Sequence, residues 1–125
     1  MEGKQLKSSD FKVTKNGVYV HQKVNGGNPG MLLIFANWCG HCQRFKPTFD
    51  QLCKQLGNEF PCVSIEDSNL DDNDLKIALD FKGYPSIKFF DQNGKIIGDY
   101  NKGDRSKQAM LDHICDLYHH CISYH

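Results

Sequence analysis

The sequence predicts an α/β fold: a central mixed β-sheet with helices on both faces and a β-hairpin extension at the N-terminus. Three observations carry that prediction. Residues 31–35, MLLIF, are a continuous apolar run, the pattern of a strand buried on both faces. From Gly40 the period becomes helical and ends near Gly57, and the apolar residues Cys62, Val63 and Ile65 follow. Residues 31–65 therefore predict a strand–helix–strand unit with parallel strands and a right-handed crossover. Asn93-Gly94 then marks a tight turn between residues 86–90 and 95–100, which adds antiparallel strands.

Residues 1–9 are polar and predict a flexible, frayed terminus, leaving 10–125 as a single domain. Phe11 and Val13, then Val18 and Val20, alternate with polar residues around Asn16-Gly17, a pair suited to the positive φ angles of a type I′ turn. A hairpin over residues 10–23 follows from that pattern. Residues 25–30, NGGNPG, read as a loop. In the helix after Gly40, Cys42, Phe45, Phe49, Leu52, Cys53 and Leu56 share one stripe, and Pro47 inside it is expected to kink the helix. Acidic residues 71–74 precede Leu75, Ala78 and Leu79 at helical spacing and read as the N-cap of a short helix. Gly83-Tyr84-Pro85 is expected to stop that helix, and in the next strand Ile87 and Phe89 share a face. A last helix, starting near Arg105 or Ser106, lays Met110, Leu111, Ile114, Leu117, Tyr118 and Cys121 against the sheet.

The 125 residues are enough for one domain with a hydrophobic core that needs no disulfide staples. Lys plus Arg and Asp plus Glu balance at 15 each, which argues against nucleic acid or a membrane surface as partners. No apolar run approaches the roughly 20 residues that span a bilayer. Residues 1–10 lack an apolar signal region and residues 123–125, SYH, are not a retention address, so a cytoplasmic or other intracellular location is expected, with a secretory compartment open if a leader is removed. Of the six cysteines, Cys53, Cys62, Cys115 and Cys121 read as buried hydrophobes or surface thiols whose pairing spacing does not reveal.

Cys39 and Cys42 are different. They enclose Gly40 and His41 directly after Trp38, close enough for the two sulfurs to join. A helix starting near Cys39 brings unpaired N–H groups and the positive dipole end to that sulfur, which favours its thiolate. Cys39 is therefore the expected attacking thiol, and Cys42, one helical turn on, the resolving thiol. A protonated His41 would add positive charge beside Cys39 and make the disulfide more oxidising.

A strand, a CxxC at a helix start, a proline within that helix, then Gly-Tyr-Pro before a strand and a hairpin: together these resemble the thioredoxin superfamily over residues 31–118. Trp38-Cys39-Gly40-His41-Cys42 is similar to the active site of the protein disulfide isomerase type, whereas thioredoxins proper carry Pro where His41 stands. The resemblance implies a thioredoxin fold and thiol–disulfide exchange, with catalytic Cys39, Gly40, His41 and Cys42. It implies substrate contacts by Trp38, Tyr84 and a cis Pro85, and makes Arg105 a candidate modulator that approaches the resolving cysteine. Partners would be client proteins with thiols or disulfides and an upstream thiol reductant or oxidant, with no cofactor beyond the Cys39–Cys42 pair.

One departure stands out. Six residues before Cys39, where the family usually holds a buried acid that moves protons for the resolving cysteine, this sequence has Leu33. Gln43 and Arg44 also replace the usual Lys, and the hairpin stands in place of a strand and helix. Two rival readings remain: a non-catalytic client-binding module, and a Cys/His metal site using Cys39, His41 and Cys42 with His113, His119, His120, Cys121 and His125. A second close ligand pair, usual in zinc sites, is missing, so no metal is expected.

Overall fold

The computed structural model describes residues 4–118. Its strands are β1 (Lys4–Leu6), β2 (Phe11–Thr14), β3 (Gly17–Val20), β4 (Gly30–Phe35), β5 (Cys62–Glu66), β6 (Ser86–Phe90) and β7 (Ile96–Asp99). The helices are α1 (Gln22–Asn25), α2 (Gly40–Leu56), α3 (Asn73–Leu79) and α4 (Lys107–Tyr118). The main sheet runs β1-β5-β4-β6-β7, parallel across β1, β5 and β4 and antiparallel across β4, β6 and β7. Every residue of β4 is buried, as a continuous apolar run in a central strand requires. Its side chains divide by the two-residue period of a strand. Met31, Leu33 and Phe35 join Phe45, Phe49, Leu52, Met110 and Ile114 in a core under α2 and α4. Leu32 and Ile34 face the other way, into a core with Val18, Val20, Leu75 and Leu79. The mixed sheet with helices on both faces is thus the arrangement the sequence predicts.

The β2–β3 hairpin forms its own two-stranded sheet, Phe11 opposite Val20 and Thr14 opposite Gly17. Its turn differs from the expected type I′. The two central residues are Lys15 and Asn16, and neither has positive φ. The Thr14 hydroxyl accepts the N–H of Asn16, so a side chain stabilises the turn that glycine was expected to make. Gly94 does adopt φ +83, and a Cβ there would lie 2.3 Å from the Val20 carbonyl oxygen. The β6–β7 turn can therefore press on β3 only because residue 94 is glycine, and the Val20 N–H donates to the Gly94 oxygen at 2.7 Å.

Two further expectations change. Residues 4–6 are not frayed: they pair with β5, Leu6 opposite Ile65, and Leu6 is buried. Three residues are too few to show a period, so this edge strand left no signal in the sequence. The short helix α3, capped by Asp72 accepting from Asp74 and Leu75, ends at Leu79 well before Gly83. Asp80 terminates it in the left-handed region, φ 51, and its carbonyl accepts a hydrogen bond from buried Lys88 at 3.0 Å. Lys88 also pairs with Asp99 at 2.7 Å, so one buried ammonium ties the segment before Pro85 to β6 and β7.

Candidate active site

β4 delivers the chain to a short loop, 36–39, at the carboxyl end of a parallel strand. That is where open α/β sheets place their chemistry. Cys39 is the N-cap of α2, with extended φ and ψ, and its carbonyl accepts the N–H of Gln43 at 3.2 Å. Cys39 is 9 % exposed and Cys42 1 %. Two thiols, one at the surface and one beneath it, occupy a single helical turn, and both are free.

Their acidities are pushed apart. The backbone N–H of Cys42 acts most strongly on Cys39 and lowers its pKa; burial opposes this. The Cys42 thiol, the His41 N–H and the Arg44 charge add to the lowering, and the net result lies below the ordinary thiol value. Burial pushes the Cys42 thiol up to about 11, against the Ala36 N–H and the Lys46 charge, which favour its thiolate. The His41 ring meets a neighbour on the same helix. Its Nδ1 lies 2.9 Å from Arg44 Nη2. A guanidinium has only donors, so Nδ1 accepts from it, and the Arg44 charge adds to what favours the Cys39 thiolate.

The wall opposite comes from the loop before β6. The Tyr84–Pro85 bond is cis. Cys39 Sγ lies 3.5 Å from the Tyr84 carbonyl oxygen, to which it donates. Trp38 is 71 % exposed and meets the Tyr84 ring edge-on at 5.6 Å. Burial raises the pKa of the Tyr84 hydroxyl, which donates to Asp67. The site therefore joins Trp38, Cys39, Cys42, Tyr84 and Pro85, with Gly40 in the first turn of α2. Arg105 is exposed and lines a groove together with Tyr84, Pro85 and Tyr100, where its charge acts on the Tyr100 hydroxyl.

Sequence reasoning missed Glu66. At the end of β5, opposite Phe35, it is 8 % exposed, and its Oε2 accepts the N–H of Asn37 at 3.1 Å. Its other oxygen accepts the Ser68 N–H and hydroxyl. Burial tends to raise the Glu66 pKa, but these hydrogen bonds outweigh it and hold the carboxyl below its ordinary value. Asn37 is gripped further: its carbonyl accepts from Gln43 and its Oδ1 from Lys46, whose ammonium sits 4.5 Å from the centre of the Phe35 ring. The only hint in the sequence was a carboxylate closing an apolar strand. Leu33 is buried in the core under α2.

Among the described residues, no three His, Cys, Asp or Glu side chains converge as metal ligands, and no helix is long and apolar enough to cross a membrane. His113 packs between the rings of Phe89 and Tyr100, while His119, His120, Cys121 and His125 lie outside the described residues. Cys115 is disulfide-bonded rather than a free thiol, Cys62 is buried and free, and Cys53 is buried.

A mixed sheet carrying a two-cysteine turn at the end of its central strand, faced by a cis-proline loop, defines the thioredoxin-fold class. The thioredoxin family model matches residues 11–116, and the chain belongs to that family. The chain is 30% identical over 110 residues to a protein disulfide-isomerase of Medicago sativa, covering 86% of this chain and 21% of that protein. It is 33% identical over 91 residues to a protein disulfide-isomerase of Zea mays, covering 70% and 18%. Among solved structures, the Trx4 domain of ERdj5 superposes with a TM-score of 0.68 at 20% identity, over 94% of this chain and 96% of that one. The chain spans about a fifth of the length of these curated relatives.

Proposed function

We propose that this chain is a protein thiol–disulfide oxidoreductase that reduces, forms or isomerises disulfides in protein clients through Cys39 and Cys42. The observation that carries the reading is the opposed tuning of the two thiols: Cys39 at the rim with its thiolate favoured, Cys42 buried with its proton retained. The Cys39 thiolate attacks a client disulfide; that S–S bond breaks, the client's leaving sulfur takes the electron pair, and a mixed disulfide forms. Cys42 then gives up its proton and attacks Cys39 Sγ, closing the Cys39–Cys42 disulfide and releasing the second client thiolate. Run in reverse, the same steps insert a disulfide into the client.

The client arrives beside Pro85. An extended segment would pair with the backbone of Tyr84, as in strand addition, with Trp38 covering the exchanging sulfurs. The supporting geometry is the short Cys39–Tyr84 approach and the exposure of Trp38. With Leu33 in place of the usual acid, the Cys42 proton leaves to water, assisted by the Lys46 charge and the Ala36 N–H. The relatives are named disulfide-isomerases, and a secretory compartment, where disulfides form and persist, is the location this reading favours.

The test is reduction of insulin disulfides by dithiothreitol, with and without the protein. Acceleration that disappears in Cys39→Ser supports an enzyme. No acceleration, with extended segments still bound, would leave a client-binding module instead.

A further inference from the structure

The groove that shares Tyr84 and Pro85 with the exchange site carries an excess of positive charge. Its volume is about 750 Å³, and two stretches line it, residues 80–88 and 99–103, together with Arg105. The charged lining is Lys82, Lys88, Lys102 and Arg105 against Asp80 and Asp99. Buried Lys88 pairs with Asp99 at 2.7 Å, so these two cancel. Lys82, Lys102 and Arg105 are exposed and, among the described residues, take part in no ion pair. Neighbouring carboxylates are engaged elsewhere. Asp67 pairs with Lys76 at 3.7 Å and accepts from the Tyr84 hydroxyl, and Asp104 accepts the Ser106 N–H at 2.9 Å. Of the lining residues, only Asp80 is left to oppose three cations. The chain as a whole balances its charges at 15 each, so the excess belongs to this groove. Two glycines also line it. Gly83 and Gly103 are exposed, and a Cβ on either would meet nothing within 4 Å. Bare backbone beside open space lets a second polypeptide lie close.

We propose that this groove selects acidic clients: the segment beside the client's exchanging cysteine carries Asp or Glu, and Lys82, Lys102 and Arg105 receive those carboxylates. The proposal rests on the oxidoreductase reading above and names the class of client. Tyr84 is the link, since it lines the groove and its carbonyl oxygen accepts from Cys39 Sγ at 3.5 Å. An extended segment advances about 3.3 Å per residue, so acidic residues within a few positions of the cysteine reach the groove. A carboxylate there meets cations that give up no other partner, whereas a basic segment meets like charge and is rejected. Complementarity of this kind acts on encounter and on the choice of partner, so its effect falls on kcat/KM.

The experiment uses the full chain and three disulfide peptides, identical except for Glu, Gln or Lys at the positions flanking the cysteine. Their reduction is followed at low salt with dithiothreitol as the reductant. The expected order of kcat/KM is Glu above Gln above Lys, with about tenfold between the extremes, and high salt should narrow it. Replacing Lys82, Lys102 and Arg105 by Gln should bring the Glu-to-Lys ratio to about twofold or less. A variant with Lys12, Lys15 and Lys54 replaced by Gln loses the same charge elsewhere on the surface and should keep most of the ratio. Equal turnover of the three peptides, or a ratio that survives the groove substitutions or falls equally in the control variant, would overturn the acidic preference and leave the oxidoreductase standing. No turnover of any peptide would overturn both.

Discussion

The N–H of Asn37, two residues before Cys39, donates to Oε2 of Glu66 at 3.1 Å, so the second parallel strand holds the loop that carries the attacking thiol. Replacing Glu66 by Ala strands the N–H groups of Asn37 and Ser68 in a buried setting. A loss of about 1–3 kcal/mol in urea unfolding is expected. The loss has a pH signature. Because the folded-state pKa of Glu66 lies below its unfolded value, near 4.3, its contribution is fully present above that pH and is lost as pH falls through the folded value. The stability gap between wild type and Glu66→Gln should therefore shrink in acid; a gap constant from pH 7 to 3 would show that the carboxylate charge is immaterial.

The Arg44 charge favours the Cys39 thiolate, and its guanidinium lies 2.9 Å from His41 Nδ1. Arg44→Gln should move the pH midpoint of Cys39 alkylation by iodoacetamide upward and slow the reaction at neutral pH by roughly two- to fivefold, the worth of an exposed charge pair. His41→Asn, which keeps the backbone N–H, should alter the rate less. A larger effect from His41 would reverse this assignment.

Lys46 places its ammonium where it favours the Cys42 thiolate. In Lys46→Met the first step should keep its rate while resolution of the mixed disulfide slows several-fold, a difference readable by acid-quenched trapping. Equal slowing of both steps would point to a disturbed helix instead.

Trp38 is mostly exposed, so Trp38→Ala should change stability by no more than about 0.5 kcal/mol. The effect should appear in client turnover, as a raised KM for a disulfide peptide. Unchanged kinetics would remove Trp38 from the client surface.

His113 is partly buried between two aromatic rings, and burial, with Lys102 nearby, lowers its pKa. A histidine depressed in the folded state is protonated first in the unfolded chain, so stability is intact above its unfolded pKa, near 6.5, and falls as pH drops toward the folded value. His113→Phe should flatten that part of the urea-stability profile; an unchanged slope between pH 7 and 5 would assign the loss to other groups.

Much of this was legible in the sequence, for physical reasons. Residues 31–35 are apolar without interruption because β4 is covered on both faces, and Cys42, Phe45, Phe49 and Leu52 keep a helical period because α2 buries one stripe. β1 was invisible: its backbone bonds to β5 matter more than its three side chains, of which one is buried. The cis Tyr84–Pro85 bond came from the family resemblance, since nothing in the local residues distinguishes it from a trans turn. Glu66 was missed because its role depends on where the 37–39 loop falls, whereas the Arg44–His41 contact is local, three residues apart on α2, and was open to a reading of helical spacing.

The central claim is that Cys39 and Cys42 form one reversible two-electron centre. Equilibrating the protein in glutathione redox buffers, with the Cys39–Cys42 disulfide quantified by mass after acid trapping, tests it most directly. A single transition is predicted, between about −270 and −120 mV, and it should be absent in Cys39→Ser. Absence of any transition in that range, or one that survives Cys39→Ser, would contradict the account.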